Sequence, residues 1–402
     1  MVLMVAFVCG PLFGVRHRPV QQSMKLARIY KLLPKNGAMG AALSQDGRYV
    51  AIQSVWGDMT STGEMNTVID RIELWDVSRE QRVADRQLAS WPPCNKCKSI
   101  PMGQGDDRFT RFSNDGSKIL AFDGFDIQLL DAHNLSLIRK VELHLPVVPV
   151  DSHANLEISE VELSADGSNA AVMLSGEHGG TVRIYDTANG SLVRKWEYEG
   201  LKVGRTGRRM AWSPNGQYVA LTTYPVVPGQ HVPEGAKNVL IFYAHTGQLV
   251  QAIHTDYVAG PVAFASENLL LTASLDPAFG RSRKDAIEEW DVRSGKIVRE
   301  FTSFPFGPRY QLAVSGDRRI LVGFVTTEHL AEHFVRESDE KFEVWNLITG
   351  QTSYTSDTLD FPQPVATRML QVETNANGNR ILVRYQESTT QPLLVYDLNP
   401  SN

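Results

Sequence analysis

Apolar residues fall along this chain in short, strand-length runs, each bounded by a turn built on Gly, Asn or Asp, and the runs repeat. The first half of the repeat is a turn of the Ser-x-Asp-Gly or Asn-Gly kind with a hydrophobic stretch around it. Leu43 to Ala51, Phe112 to Gly116, Leu163 to Gly167 and Trp212 to Ala220 are the clearest copies, and Phe264 to Leu271, Val314 to Val322 and Val372 to Val383 are weaker ones. The second half carries apolar positions up to a marker residue, as in Ile72-Glu73-Leu74-Trp75-Asp76, Val182-Arg183-Ile184-Tyr185-Asp186 and Phe342-Glu343-Val344-Trp345-Asn346. With Trp75, Leu130, Tyr185, Phe242, Trp290, Trp345 and Tyr396 as markers, the steps are 55, 55, 57, 48, 55 and 51 residues. A period of this size in sequence that reads as strand throughout predicts an all-β fold, a seven-bladed β-propeller.

Each unit reads as four antiparallel strands, a (innermost) to d (outermost). Strand a ends in the first turn, where φ > 0 is cheap only for Gly, Asn and Asp. Strand b follows, as in Lys118 to Phe122, and strand c carries the marker. A second tight turn, such as Ala188-Asn189-Gly190 or Thr349-Gly350, delivers strand d. Alternation in strands c and d predicts sheets with one face more buried than the other. The seventh repeat stops after Leu398, one strand short, and Leu26 to Leu32 stands before the first repeat like a strand d. The N-terminal strand is therefore expected to complete the last blade, which removes two open sheet edges. Residues 25–402 make one propeller with no linker, preceded by residues 1–24 as an apolar segment or tail.

The 40 basic and 45 acidic residues give a net charge of −5, which argues against bulk electrostatic binding to nucleic acid. No run approaches the roughly 20 apolar residues that span a bilayer. Met1 to Gly14 has the length and apolarity of an export-signal core, but its charges, Arg16 and Arg18, follow it instead of preceding it. Export and a cytoplasmic location both stay open.

Trp75-Asp76, Trp290-Asp291 and Trp345-Asn346 resemble the marker pair of the WD-repeat family, and the Ser-x-Asp-Gly turns are similar to those of the bacterial YVTN and quinoprotein-amine-dehydrogenase-like propellers. The likeness covers the chain after residue 25. The Gly-His dipeptide of WD repeats is missing, and the period is about ten residues longer, which marks a divergent WD-like propeller. The resemblance implies a protein-interaction scaffold and brings no catalytic residues with it.

In such a ring the a-to-b and c-to-d turns share one face and the b-to-c and d-to-a connections share the other. The first set is uniformly short. The second set carries the insertions: b-to-c loops at Val55 to Arg71, Tyr224 to Asn238, Asp276 to Ala286 and Thr326 to Lys341, and d-to-a loops at Ser90 to Arg108, Pro146 to Glu157 and Gly200 to Arg209. Long ordered connections are uncommon unless functional, so this face, around the central funnel, is the expected binding surface. Its candidate contacts are Trp56, Trp91, Lys202, Arg205, Arg208, Arg209, Tyr224, Arg281 and Arg283, with Lys284, Phe279 and Phe334 beside them. The loop of the sixth blade is acidic, with Glu328, Glu332, Glu337, Asp339 and Glu340, so a partner of mixed charge would be oriented by complementarity.

Cys94-Asn95-Lys96-Cys97 could close a small disulfide, stay as free thiols, or supply half of a zinc site that lacks two further ligands. His329 and His333 stand four apart, on one side of any short helix there, without the Glu directly after the first His that a metalloprotease motif needs. Gly176 to Gly180 reads as a b-to-c hairpin, since no strand-to-helix step follows it. Nothing in the chain matches a nucleophile elbow, a Walker loop or a calcium loop, and no cofactor or resident metal is expected. Asn134 and Asn189 head glycosylation sequons but sit where c-to-d turns want Asn. The sequence thus points to a monomeric, non-enzymatic scaffold for a protein or peptide. A hydrolase or lactonase in the central funnel, or a small-ligand binder there, is the competing reading, and converging carboxylates and histidines at the funnel would favour it.

Overall fold

A computed structural model describes residues 23–59, 65–91, 109–144, 157–176, 179–199, 208–223, 235–255, 258–275, 287–301, 308–330, 336–357, 371–384 and 392–400. They form seven four-stranded antiparallel sheets. The inner strands a of blades 1 to 7 are Gly40–Leu43, Thr110–Phe112, Glu157–Leu163, Met210–Trp212, Val258–Phe264, Pro308–Val314 and Gln371–Thr374. Each packs beside the inner strand of the next blade, and that of blade 7 packs beside that of blade 1, so the ring closes. The chain is a seven-bladed β-propeller.

The closing strand is the expected one. Met24–Leu32 pairs antiparallel with Leu393–Pro400, from Met24 opposite Pro400 to Leu32 opposite Leu393, and forms strand d of blade 7. Its outward residues are exposed, whereas Tyr30 and Leu32 are buried against Ala41, Val50 and Ile52 of blade 1.

The core is distributed between blades. Seven apolar clusters are formed by the described residues, and each joins two neighbouring blades. Strand c is therefore covered on both sides: Ile127, Gln128, Leu129 and Leu130 are all buried, in place of the expected alternation. Strand d buries only its far end, such as Val141, Ile253 or Phe301, because it forms the rim of the ring.

The repeated Ser-x-Asp turn has a specific hydrogen-bond basis. Ser44 Oγ donates to Asp46 Oδ1 at 2.6 Å and accepts the Tyr49 amide at 2.8 Å, while Asp46 Oδ1 also accepts the Arg48 amide at 2.9 Å. The same set recurs around Ser113, Ser164, Ser213 and Ser315, with Asn215 in place of Asp in blade 4. These serines are buried, so their hydroxyls replace water at the start of strand b. The Asp after the marker caps the second turn: Asp186 Oδ1 accepts the Ala188 amide at 2.6 Å, and Asn346 Oδ1 accepts that of Ile348 at 2.9 Å. Asn134 and Asn189 do the same for Ser136 and Ser191, each at 2.7 Å.

Two of the expected loops are strands. In blade 1, Tyr49–Met59 and Met65–Asp76 pair out to Met59 opposite Met65, and Gln81–Trp91 runs alongside. In blade 6, Ile320–Leu330 and Arg336–Asn346 pair out to Leu330 opposite Arg336. His329 lies on this ladder opposite Glu337, not on a helical turn. Thr326, Thr327, Glu328, Ser338, Asp339 and Glu340 give this stretch a polar sequence without an alternating apolar signature, which is why the segment reads as loop.

Deletion of residues 24–33 should lower the unfolding midpoint of the whole ring, because it exposes the edge of Leu393–Pro400 and removes Tyr30 and Leu32, each contributing about 1.5–3 kcal/mol. A circular-dichroism melt checks this, and an unchanged midpoint would refute the closure. Ser213→Ala should cost about 1–2 kcal/mol in urea unfolding, because the buried amide of Tyr218 loses its acceptor.

Candidate functional site

The residue two positions before the first turn faces the same inner layer in every blade. Around the ring these residues are Ala42, Arg111, Glu162, Ala211, Ala263, Ala313 and Glu373. At this position blades 7, 2 and 3 carry charge, and blades 1, 4, 5 and 6 carry alanine.

The charges form one network. Arg111 Nε donates to Glu162 Oε1 at 2.9 Å, its Nη2 donates to Glu160 Oε1 at 3.2 Å, and its Nη1 donates to the Thr110 carbonyl at 2.9 Å and lies 3.7 Å from Glu373 Oε1. Arg208 grips both oxygens of Glu162 in a bidentate pair. The second oxygen of Glu160 accepts the Arg209 amide at 3.1 Å. Glu373 accepts the Leu43 amide at 3.0 Å and Gln371 Nε2 at 2.9 Å. Every carboxylate oxygen of the three glutamates therefore already accepts a donor, as buried charges require.

Burial and partners separate the three acids. Burial, then the neighbouring Glu162, pushes the Glu160 carboxyl up to about 7 despite Arg111. Burial acts on Glu162 in the same sense, but the guanidiniums of Arg111 and Arg208 outweigh it and hold that carboxyl below its usual range. Burial also raises Glu373, with Arg111 and Arg208 opposing it. Burial disfavours the charge on Arg111, yet Glu162, Glu160 and Glu373 together raise its pKa and keep it protonated.

Arg111, Glu162, Arg208 and Glu373 line a cavity of ≈ 130 Å³ with Ala211, Trp212, Ala263, Phe264, Ala313 and Arg318. Glu160, whose carboxyl is pushed up to about 7, is not on its wall. No cluster of His, Cys, Asp and Glu suited to a metal ion occurs among the described residues. Carboxylates do converge on the funnel, but among the described residues they are joined by arginines and no histidine.

Of the residues expected on the binding face, Arg208 and Arg209 lie at this channel, Arg208 half-buried on Glu162 and Arg209 buried. Trp56 is half-buried in the blade 1 hairpin opposite Ile69, with the Arg71 guanidinium 5.9 Å from its ring centre. The backbone of Trp91 pairs with that of Val68. Lys202, Arg205, Tyr224, Arg281, Arg283, Cys94 and Cys97 lie outside the described residues. Sequence reading missed Arg111, Glu160, Glu162 and Glu373, although a charge at a fixed offset from the turn, where other blades have Ala, was there to be seen.

A folded-state pKa above the ordinary 4.5 means that folding takes up a proton at Glu160, so its stabilising contribution is full below about pH 4.5 and is lost as the pH rises through about 7. The urea midpoint should therefore fall between about pH 5 and pH 8, and Glu160→Gln should flatten the slope without abolishing it, because Glu373 acts in the same direction. An equal slope in the variant would remove Glu160 from the account.

No protein-family model and no curated protein matches the sequence. Solved structures match it in fold. The β-propeller domain of Cps50 (Swd1) from Myceliophteria thermophila aligns over 92% of this chain and 99% of its own, at 12% identity and a TM-score of 0.54. A chain of the mitotic checkpoint complex aligns over 98% of both chains, at 12% identity and a TM-score of 0.53. A chain of hydrazine synthase from Kuenenia stuttgartiensis aligns over 91% of this chain and 96% of its own, at 13% identity and a TM-score of 0.55. The architecture is therefore that of a seven-bladed propeller, shared with these structures in fold.

Proposed function

We propose that the protein is a non-enzymatic scaffold that binds a protein or peptide partner on the face formed by the b-to-c and d-to-a connections. The observation that carries this reading is the placement of the two extended hairpins. Blades 1 and 6 flank blade 7, and both project their b-to-c ribbons on the same face, beyond the five-residue strands of blade 2. The a-to-b and c-to-d turns stay short. The blade 1 ribbon carries Trp56, Met59, Met65 and Ile69, and the blade 6 ribbon carries Glu328, Glu337, Asp339 and Glu340. A partner over blade 7 would meet an apolar ribbon on one side and an acidic one on the other, which favours a basic, partly apolar segment.

The similar propeller in the mitotic checkpoint complex belongs to a protein assembly, whereas the one in hydrazine synthase belongs to an enzyme, so fold alone does not choose. The ion pairs of Glu162 with Arg111 and Arg208, which hold its carboxyl below its usual range, weigh against that residue as the base of a hydrolase in the channel.

The test replaces residues 56–68, and separately residues 326–340, with the tight turn of residues 123–126. Each variant should keep a near wild-type melting temperature. In crosslinked pull-downs from the source cells, a partner captured by the wild type should be lost from at least one variant. Undiminished capture by both would overturn the assignment of the face.

A further inference from the structure

The a-to-b turn end of the channel holds an arginine where most blades have glycine. At the fourth position of the first turn, blades 1, 2, 3, 4 and 7 carry Gly47, Gly116, Gly167, Gly216 and Gly378, all with φ of 68 to 71°. Blade 6 has Arg318 there, with φ of 60°. A side chain in this left-handed conformation is disfavoured relative to glycine, and such outliers persist where surrounding structure or function holds them.

Arg318 reaches inward. Its Nη1 donates to the Phe264 carbonyl of blade 5 at 3.0 Å, and its side chain lines the channel cavity on the side where Ala211, Ala263 and Ala313 leave room. It has no carboxylate within ion-pair distance among the described residues. Burial, then the positive charge of Arg208, lowers its pKa. Arg208 spends Nε and Nη2 on Glu162, and its Nη1 has no hydrogen bond among the described residues. Each carboxylate here is already engaged by donors, so the guanidinium of Arg318 and the Nη1 of Arg208 are the cationic groups on the wall of this cavity that keep hydrogen-bonding capacity among the described residues, beside the neutral polar side chains of Gln45, Asn114 and Thr374. Its ≈ 130 Å³ is too small for a drug-sized molecule but holds a group of a few heavy atoms.

We propose that this cavity is a binding site for a single carboxylate group, received between the guanidinium of Arg318 and the Nη1 of Arg208 at the a-to-b turn end of the channel. Guanidinium donors match the planar geometry of a carboxylate, and the alanine-lined side supplies space for the small apolar stem behind it. The site is on the face opposite the hairpins and does not depend on the partner-binding reading. The carboxylate could belong to a free short-chain acid or to the C-terminus of a peptide, and both present the same chemistry.

The experiment is isothermal titration calorimetry of the full chain at low chloride. One arm uses acetate and propionate, and the other uses a short peptide with a free C-terminus beside its C-terminal amide. The wild type should bind at least one probe, and the peptide amide should be silent. Heats from the free acids would identify a small acid as the ligand, and heats from the free peptide alone would identify a chain terminus. Arg318→Gly takes the conformation that the other blades use, so it should fold with an undiminished melting temperature and bind about tenfold or more weakly. Arg318→Asn, which also tolerates φ > 0, is the second variant and should behave alike. Arg208→Gln should weaken binding too. Equal binding by wild type and both Arg318 variants, or no heat from any carboxylate probe, would overturn the site.

Discussion

A propeller blade is a sheet with two apolar faces and nothing of its own to cover them. Each of the seven clusters here lies between two blades, so a blade is stable only with a neighbour on both sides, and the chain must return to its starting point. The seam between blades 7 and 1 is where that condition is met. Tyr30 and Leu32 enter it from the N-terminal strand, which makes the two ends of the sequence one sheet. The Ala376 amide reaches the Gln45 carbonyl at 2.8 Å, so first turns are also tied across this seam, as they are between blades 6 and 7, where the Asp317 amide reaches the Ala376 carbonyl at 2.9 Å.

Closure creates an axis, and the axis is the place where the repeats cannot all be alike. Seven large side chains at the inner layer would not fit, and seven alanines would leave a void. The chain resolves this asymmetrically. Arg111, Glu162 and Glu373, with Glu160 and Arg208, fill the side of blades 7, 2 and 3 with a satisfied ion network, and Ala211, Ala263 and Ala313 leave the rest open. A buried network of this kind adds little net stability over an apolar filling, but removing one member leaves an uncompensated charge. It therefore fixes the geometry of the open half, into which Arg318 points.

The outer surface shows a second division of labour. Turns held by Ser Oγ and Asp Oδ1 keep one face uniform, because those hydrogen bonds leave no slack for insertions. The other face has no such constraint and carries the ribbons of blades 1 and 6. Tolerance of length on one face, set against strict turn chemistry on the other, concentrates variation where partners can reach it.

Sequence alone determined the repeat, the number of blades, the four-strand unit and the closing strand, because turn chemistry and apolar runs are local signals that survive in every copy. It also placed the variable connections on one face. It misread the ribbons at 55–71 and 326–341 as loops, since the pairing that makes them strands is a cross-strand register outside the repeated unit and leaves no local repeat signal. The tertiary structure alone decided the channel. Arg111, Glu162, Arg208 and Glu373 come from four blades and are far apart in the chain, and each is an unremarkable charge in its own strand. Only closing the ring brings them within hydrogen-bond distance and takes them out of water.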